Sequence, residues 1–257
     1  MKLGSYFSGL TVMGLVGALV LSATPVRGDI LIDSFKTGQS VTSPPSPNSG
    51  FVVTGGTDII GTERYISTNK VSGPVGPPAS TVSGQVFGDP TNVFSFSQDA
   101  LTLGTATIVY DGVGGNTPVN AQGFGANGID FTEGGLSNSF TFAEQGDFGI
   151  PASITVYDAL TGTAYTASGT TNGGLAFEQR SIPFSSFGGY DFENVGAIVF
   201  NFNFGPGAIE AADISFKQIV VTTPTEVGVP EPSTLLLGCL GLGAAGLYRR
   251  YRRIRKA

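Results

Sequence analysis

Residues 197–204 read AIVFNFNF. Ile198, Phe200, Phe202 and Phe204 share one parity, while Val199, Asn201 and Asn203 share the other. A β-strand turns successive side chains to opposite faces. This period of two therefore predicts a half-buried strand with a Phe-rich inner face. The pattern recurs outward from here. VFSFS (93–97) turns Phe94 and Phe96 inward, SFTFA (139–143) does so with Phe140 and Phe142, and ASITVYD (152–158) with Ile154 and Val156. ATIVYDG (106–112) runs into a turn, and DISFKQIVV (213–221) reads as the last strand. The body shows no convincing amphipathic helix, and Gly-rich turns separate the runs. The expected fold is all-β, a β-sandwich or jelly roll. A β-solenoid is the alternative, but no repeat of fixed period is visible.

Composition agrees. The chain has 257 residues with 39 Gly, 19 Phe and 12% charged residues, enough for one domain with a real core. With no Trp, Phe supplies the bulk of that core. The absence of His excludes Ser-His-Asp and Cys-His catalysis and every His-ligated metal site. The one cysteine, Cys239, lies in the C-terminal apolar run, where it reads as a small filler, so the body has no disulfide. Residues 29–228 hold 18 acidic and 5 basic side chains, a balance of −13, whereas residues 249–256 hold 6 basic ones and no acid. An acidic body with a basic tail does not fit a nucleic-acid binder, which carries its basic patch on the folded domain.

Both ends read as targeting segments. Residues 1–28 combine Lys2, an apolar stretch from Leu10 to Leu21, and small residues near Gly28. That is the composition of a signal-peptide helix, with cleavage expected between Gly28 and Asp29 and a site after Ala23 as the alternative. At the other end, residues 235–248 are uncharged and almost wholly apolar. As a helix they would run roughly 21 Å at about 1.5 Å per residue. That is short of a bilayer core of about 30 Å, so the arginines must snorkel to let it span. Arg249, Arg250, Arg252 and Arg253 would hold this short transmembrane helix with its tail on the cytoplasmic side and the body outside. Ahead of the helix, Pro230 and Pro232 fix φ and keep the chain extended, which suits a protease cleft.

Val229, Pro230, Glu231, Pro232, Ser233 and Thr234, then a Leu/Gly/Ala helix, then an arginine cluster at the chain end resemble the PEP-CTERM protein-sorting signal of Gram-negative bacteria. The resemblance covers residues 229–257. It implies recognition by an exosortase, a membrane protease or transpeptidase, with transient anchoring in the inner membrane. Delivery to the cell surface or exopolysaccharide matrix would follow. Residues 180–219 are similar to the closing strands of galactose-binding-like jelly rolls, and residues 29–40 to their first strand; this bears on fold rather than activity.

The expected organisation is a signal peptide (1–28), a β-sandwich (29–221), a linker (222–228) and the sorting signal (229–257). Residues 43–50, SPPSPNSG, read as a surface loop. Paired carboxylates for glycoside hydrolysis would have to come from Asp130 with Glu133, or from Asp191 with Glu193; solvated turns are the simpler reading of both. No organic cofactor is expected. Oxygen-rich turns admit a structural calcium, with Asp33, Asp111 and Asp213 as candidate ligands. Tyr65, Tyr165, Tyr190 and Arg64 are the candidates for contact with a polysaccharide. The expected role is a non-enzymatic surface or matrix protein that contacts exopolysaccharide. The alternatives are an extracellular carbohydrate-active enzyme and a purely structural matrix protein.

Overall fold

The computed structural model describes residues 29–43, 48–53, 58–75, 80–112, 114 and 118–222. The signal segment through Gly28, the sorting residues Val229 to Thr234, the helix at 235–248 with Cys239, and Arg249, Arg250, Arg252 and Arg253 lie outside them. No helix among the described residues is long and apolar enough to cross a membrane.

Thirteen strands form the body: β1 Ile30–Asp33, β2 Gln39–Ser43, β3 Asn48–Val53, β4 Glu63–Ser72, β5 Val82–Phe87, β6 Val93–Gln98, β7 Leu103–Tyr110, β8 Ser139–Gly146, β9 Pro151–Asp158, β10 Ala164–Thr170, β11 Gly174–Pro183, β12 Val195–Phe202 and β13 Ile214–Thr222. One sheet, here sheet A, has the order β11-β8-β13-β6-β5-β2, with β1 also paired to β13; sheet B has the order β10-β9-β12-β7-β4-β3. All pairings are antiparallel. The chain crosses between sheets repeatedly, and both inner faces are apolar. This is a jelly-roll β-sandwich, and the solenoid alternative falls.

The alternating Phe residues meet between the sheets. Phe94 lies 5.8 Å from Phe202 and 6.2 Å from Phe216, ring centre to ring centre. A second cluster gathers Phe131, Phe184, Phe187 and Phe192 around Phe140. Of the ten predicted inward residues, nine are buried, Phe94, Phe96, Phe140, Phe142, Ile154, Val156, Ile198, Phe200 and Phe202, while Phe204 is only partly so. Each such side chain contributes about 1.5–3 kcal/mol relative to leaving it in water.

The opening stretch departs from its pattern at one end. β12 stops at Phe202, and Asn203 takes φ 55, so the alternation breaks before Phe204. Asn203 is fully buried instead of facing water. Its amide nitrogen donates to the carbonyls of Gly104 (2.9 Å) and Ile209 (2.8 Å), and its oxygen accepts from Ile209 N–H (2.7 Å). Asn tolerates the left-handed region better than most residues and here replaces ladder bonds with side-chain ones. The stretch at 43–50 is not a plain loop either, since β2 ends at Ser43 and β3 begins at Asn48.

Candidate functional site

The outer face of sheet A is assembled by register. Ser40 of β2 stands opposite Gln85 of β5, Gln85 opposite Ser95 of β6, Ser95 opposite Ser215 of β13, and Ser215 opposite Gln145 of β8. Five strands therefore carry one continuous polar row. With strands about 4.8 Å apart, it runs roughly 19 Å across the sheet. The next row reads Phe87, Val93, Lys217, Ala143 and Gln179. Phe87 closes the face at the β5 end and is 44% exposed. Phe177, on the outer parity of β11, closes the other end, and Lys217 Nζ sits 4.2 Å from its ring centre. A cation over a ring face is held by the ring quadrupole.

Along these rows the Ser95 and Ser215 hydroxyls bond to each other at 3.2 Å. The amides of Gln85, Gln145 and Gln179 have no hydrogen-bond partner among the described residues. Sheet B differs on its outer face. There Thr107 donates to Asn201 (2.9 Å), Asn201 reaches Ser153 (3.4 Å), and Thr155 bonds Thr166 (2.8 Å). Several of its polar groups satisfy one another, whereas the three Gln amides of sheet A present donors and acceptors to solvent.

A cavity of about 210 Å³ lies between the sheets beneath β8, β11, β9 and β10. Phe142, Phe200 and Phe216 line it together with Glu144 and Arg180. Glu144 Oε1 accepts from Arg180 Nη1 (3.1 Å) and Asn172 N–H (2.8 Å), while Glu144 Oε2 is buried without a partner. Glu144 is the one acidic side chain among the described residues that line the cavity.

The residues singled out from sequence fall in several places. Arg64, expected to meet a ligand, is fully buried between the sheets. Its Nη1 donates to Asp33 Oδ2 (2.8 Å), its Nε to Gln39 Oε1 (2.9 Å) and its Nη2 to the Thr37 carbonyl (2.6 Å). Tyr110 OH also donates to Asp33 Oδ2 (2.8 Å). Burial, and then the Asp33 charge, push the Tyr110 phenol well up, so it stays a donor. Burial also raises the Asp33 carboxyl against the pull of Arg64. Tyr190 is buried and stacks on Tyr165 at 4.5 Å, and Tyr65 sits half-buried in sheet B.

The expected acidic sites also separate. Asp33 pairs with Ile219 and is taken by Arg64, whereas Asp213 lies before β13, six residues back. At about 3.3 Å per residue, that is roughly 20 Å along the strand. Asp213 N–H donates to Asp147 (2.8 Å). Asp130 is a turn carboxylate: burial raises it, but bonds from the Thr132 hydroxyl and from the Thr132 and Gly134 N–H groups outweigh this and lower it overall. Asp191 accepts from Glu193 N–H (3.2 Å). Among the described residues, no three Asp, Glu, His or Cys side chains converge. The outer-face residues Gln85, Ser95, Gln145, Phe177, Gln179 and Lys217 escaped sequence reasoning, because each is one ordinary polar or aromatic position on a separate strand.

Comparison with known proteins speaks first to the tail. Residues 228–253 match a protein-sorting motif in the order Pro-Glu-Pro, apolar run, arginines. The tail is a PEP-CTERM motif. A PEP-CTERM tail marks the chain for export and for membrane-anchored sorting before processing. The body ahead of it has no match among curated proteins. Among solved structures it is similar to the family 11 carbohydrate-binding module of a cellulosomal cellulase of Clostridium thermocellum. The two are 16% identical with a TM-score of 0.36, over 76% of this chain and 95% of that one. A family 30 carbohydrate-binding module of another cellulosomal cellulase of that organism gives 14% identity and a TM-score of 0.38, over 77% and 98%. An exo-beta-agarase gives 10% and 0.41, with 76% of this chain on 25% of the enzyme. Likenesses this distant assign no role to any residue of the body.

Proposed function

We propose that the protein is a non-enzymatic component of the cell surface or extracellular matrix whose body binds a neutral polysaccharide across the outer face of sheet A. A signal peptide cleaved before Asp29 exports it, and an exosortase-type protease processes the tail. The observation that carries the binding reading is the polar face whose Gln85, Gln145 and Gln179 amides are unengaged among the described residues and which lies between the partly exposed rings of Phe87 and Phe177. A sugar chain presents hydroxyls at its edges and C–H groups on its faces. Gln side chains can donate and accept at once, and Phe87 and Phe177 offer apolar faces for stacking. A row roughly 19 Å long suits a polymer rather than a monosaccharide. The body's −13 balance repels acidic polymers at low salt, which favours a neutral one.

The test is affinity electrophoresis of the mature exported protein in gels containing soluble neutral glucans, mannans or galactans, with alginate as the acidic comparison. Retardation by at least one neutral polymer is expected. Phe177→Ala and Gln145→Ala should each weaken it about tenfold, or about 1.4 kcal/mol, with an unchanged melting temperature. Tyr165→Ala should bind as the wild type does. No retardation by any polymer, or full binding by both face variants, would remove the reading and leave a purely structural matrix role. Turnover of a polymer would favour the enzyme.

A further inference from the structure

The far end of the other sheet holds a charge arrangement that sugar contact does not use. In sheet B, Tyr65 of β4 pairs with Val109 of β7. Continuing that antiparallel register sets Arg64 opposite Tyr110 and Glu63 opposite Asp111. The first pair checks the second, since Arg64 and Tyr110 both reach Asp33 on the inner face. Glu63 and Asp111 therefore share the outer face, where directly opposed Cβ atoms lie about 4.5–5.5 Å apart.

Neither carboxylate reaches solvent, for each is 2% exposed. Two residues that follow β7, Gly114 and Asn120, bond to them. Asn120 N–H donates to Asp111 Oδ2 (2.8 Å), and Gly114 N–H donates to Glu63 Oε2 (2.9 Å). Glu63 Oε1 is left buried with no partner. Among the described residues the ion pairs are Asp33 with Arg64 and Glu144 with Arg180, so no cationic side chain neutralises these two acids. Burial raises the Asp111 carboxyl, and the Glu63 charge adds to that. Two opposed, buried, uncompensated carboxylates destabilise a sheet. A positive charge between them removes the penalty.

We propose that Glu63 and Asp111 hold a calcium ion at the end of sheet B, beside Gly114 and Asn120. Hard oxygen donors without His or Cys select calcium over zinc. The remaining coordination comes from backbone carbonyls and water, which a flexible six-to-eight-oxygen shell accepts and the stricter octahedron of magnesium does not. Two carboxylates and neutral oxygens fit the weak range of extracellular modules, about 10⁻⁴–10⁻³ M. Sequence analysis named Asp111 as a candidate; its partner is Glu63, rather than Asp33 or Asp213.

The test is calorimetric titration of the mature exported protein with calcium chloride, together with thermal melts in calcium, magnesium or chelator. One bound calcium is expected, with a higher melting temperature in millimolar calcium and a much smaller response to magnesium. Glu63→Gln and Asp111→Asn should each abolish the calcium-dependent rise. In chelator each should melt no lower than the wild type, because removing one acid relieves the repulsion; this keeps loss of calcium distinct from loss of fold. Identical wild-type melts in calcium and chelator would overturn the proposal. So would a calcium response that survives in both variants, since the ion would then bind elsewhere. Neither outcome touches the polysaccharide reading, which is measured on the opposite sheet.

Discussion

Arg64 shows how one residue can be read correctly as important and wrongly as exposed. Its guanidinium is surrounded by Asp33, Gln39 and the Thr37 carbonyl, and lies 5.7 Å from the centre of the Phe35 ring. Arg64→Ala leaves the buried Asp33 carboxylate without its cation, a change that costs about 3–5 kcal/mol. For a body of this size the melting temperature should fall by roughly 10 °C, measurable by circular dichroism. The double variant Asp33→Leu with Arg64→Leu should recover much of that loss, because it leaves no uncompensated charge. A double variant as unstable as Arg64→Ala would show that packing by the Arg64 stem is the larger effect. Sequence alone gave no sign of this network, since residues 33, 64 and 110 meet only through the pairing of separate strands. The amide row on sheet A was hidden for the same reason: Ser40, Gln85, Ser95, Ser215 and Gln145 are contiguous in register and scattered in sequence.

The strands differ in how plainly they could be read. β6, β8, β9, β12 and β13 lie in the middle of their sheets, so one parity is Phe-, Ile- or Val-rich and the alternation is visible. β10 and β11 are edge strands with mostly exposed side chains, and β4 turns Arg64 inward; none shows a clean apolar parity. The long segment between β7 and β8 was legible only as glycine-rich turns, yet it docks on β12. Phe124 N–H donates to the Gly196 carbonyl (3.0 Å), and Ile129 and Val195 exchange two bonds (2.7 and 3.0 Å). Gly196 permits this approach, because a Cβ there would collide with the Ala121 carbonyl oxygen and come within 2.9 Å of Ala159 Cβ. Gly196→Ala should therefore destabilise the body by about 1–3 kcal/mol, as overpacking does. Hydrogen exchange should report lost protection at Phe124 and Ile129. Gly174→Ala meets nothing within 4 Å and serves as the neutral control. Protection equal to wild type in Gly196→Ala would mean that the docking does not depend on this close approach.

At the scale of the whole molecule, the body and the tail carry opposite charge, −13 over residues 29–228 against 6 basic side chains over residues 249–256. An acidic body gains nothing from an anionic membrane surface, whereas the arginines would, so the proposed attachment resides in the tail. As a helix the apolar run would be roughly 21 Å long and would hold less firmly than a full span of about 30 Å, which suits the proposed tether that is later cut. On the proposed reading, the segment to be read must be extended and accessible ahead of the apolar run, and Pro230 and Pro232, which fix φ on either side of Glu231, favour that conformation. Replacing Pro230, Glu231 and Pro232 together by Ala keeps the apolar run and the arginines but removes the stiff strand and its charge. The variant should accumulate in the membrane fraction at unprocessed mass, while the wild type should be found at the surface with its tail removed. Intact-mass measurement of fractionated cells decides between them. Unchanged mass and location would mean that the protease reads the helix and arginines without the Pro-Glu-Pro strand. Because the replaced residues lie outside the sequence span of the sandwich strands, the melting temperature of the body should be the same in both proteins, and a difference there would count against independent roles for body and tail.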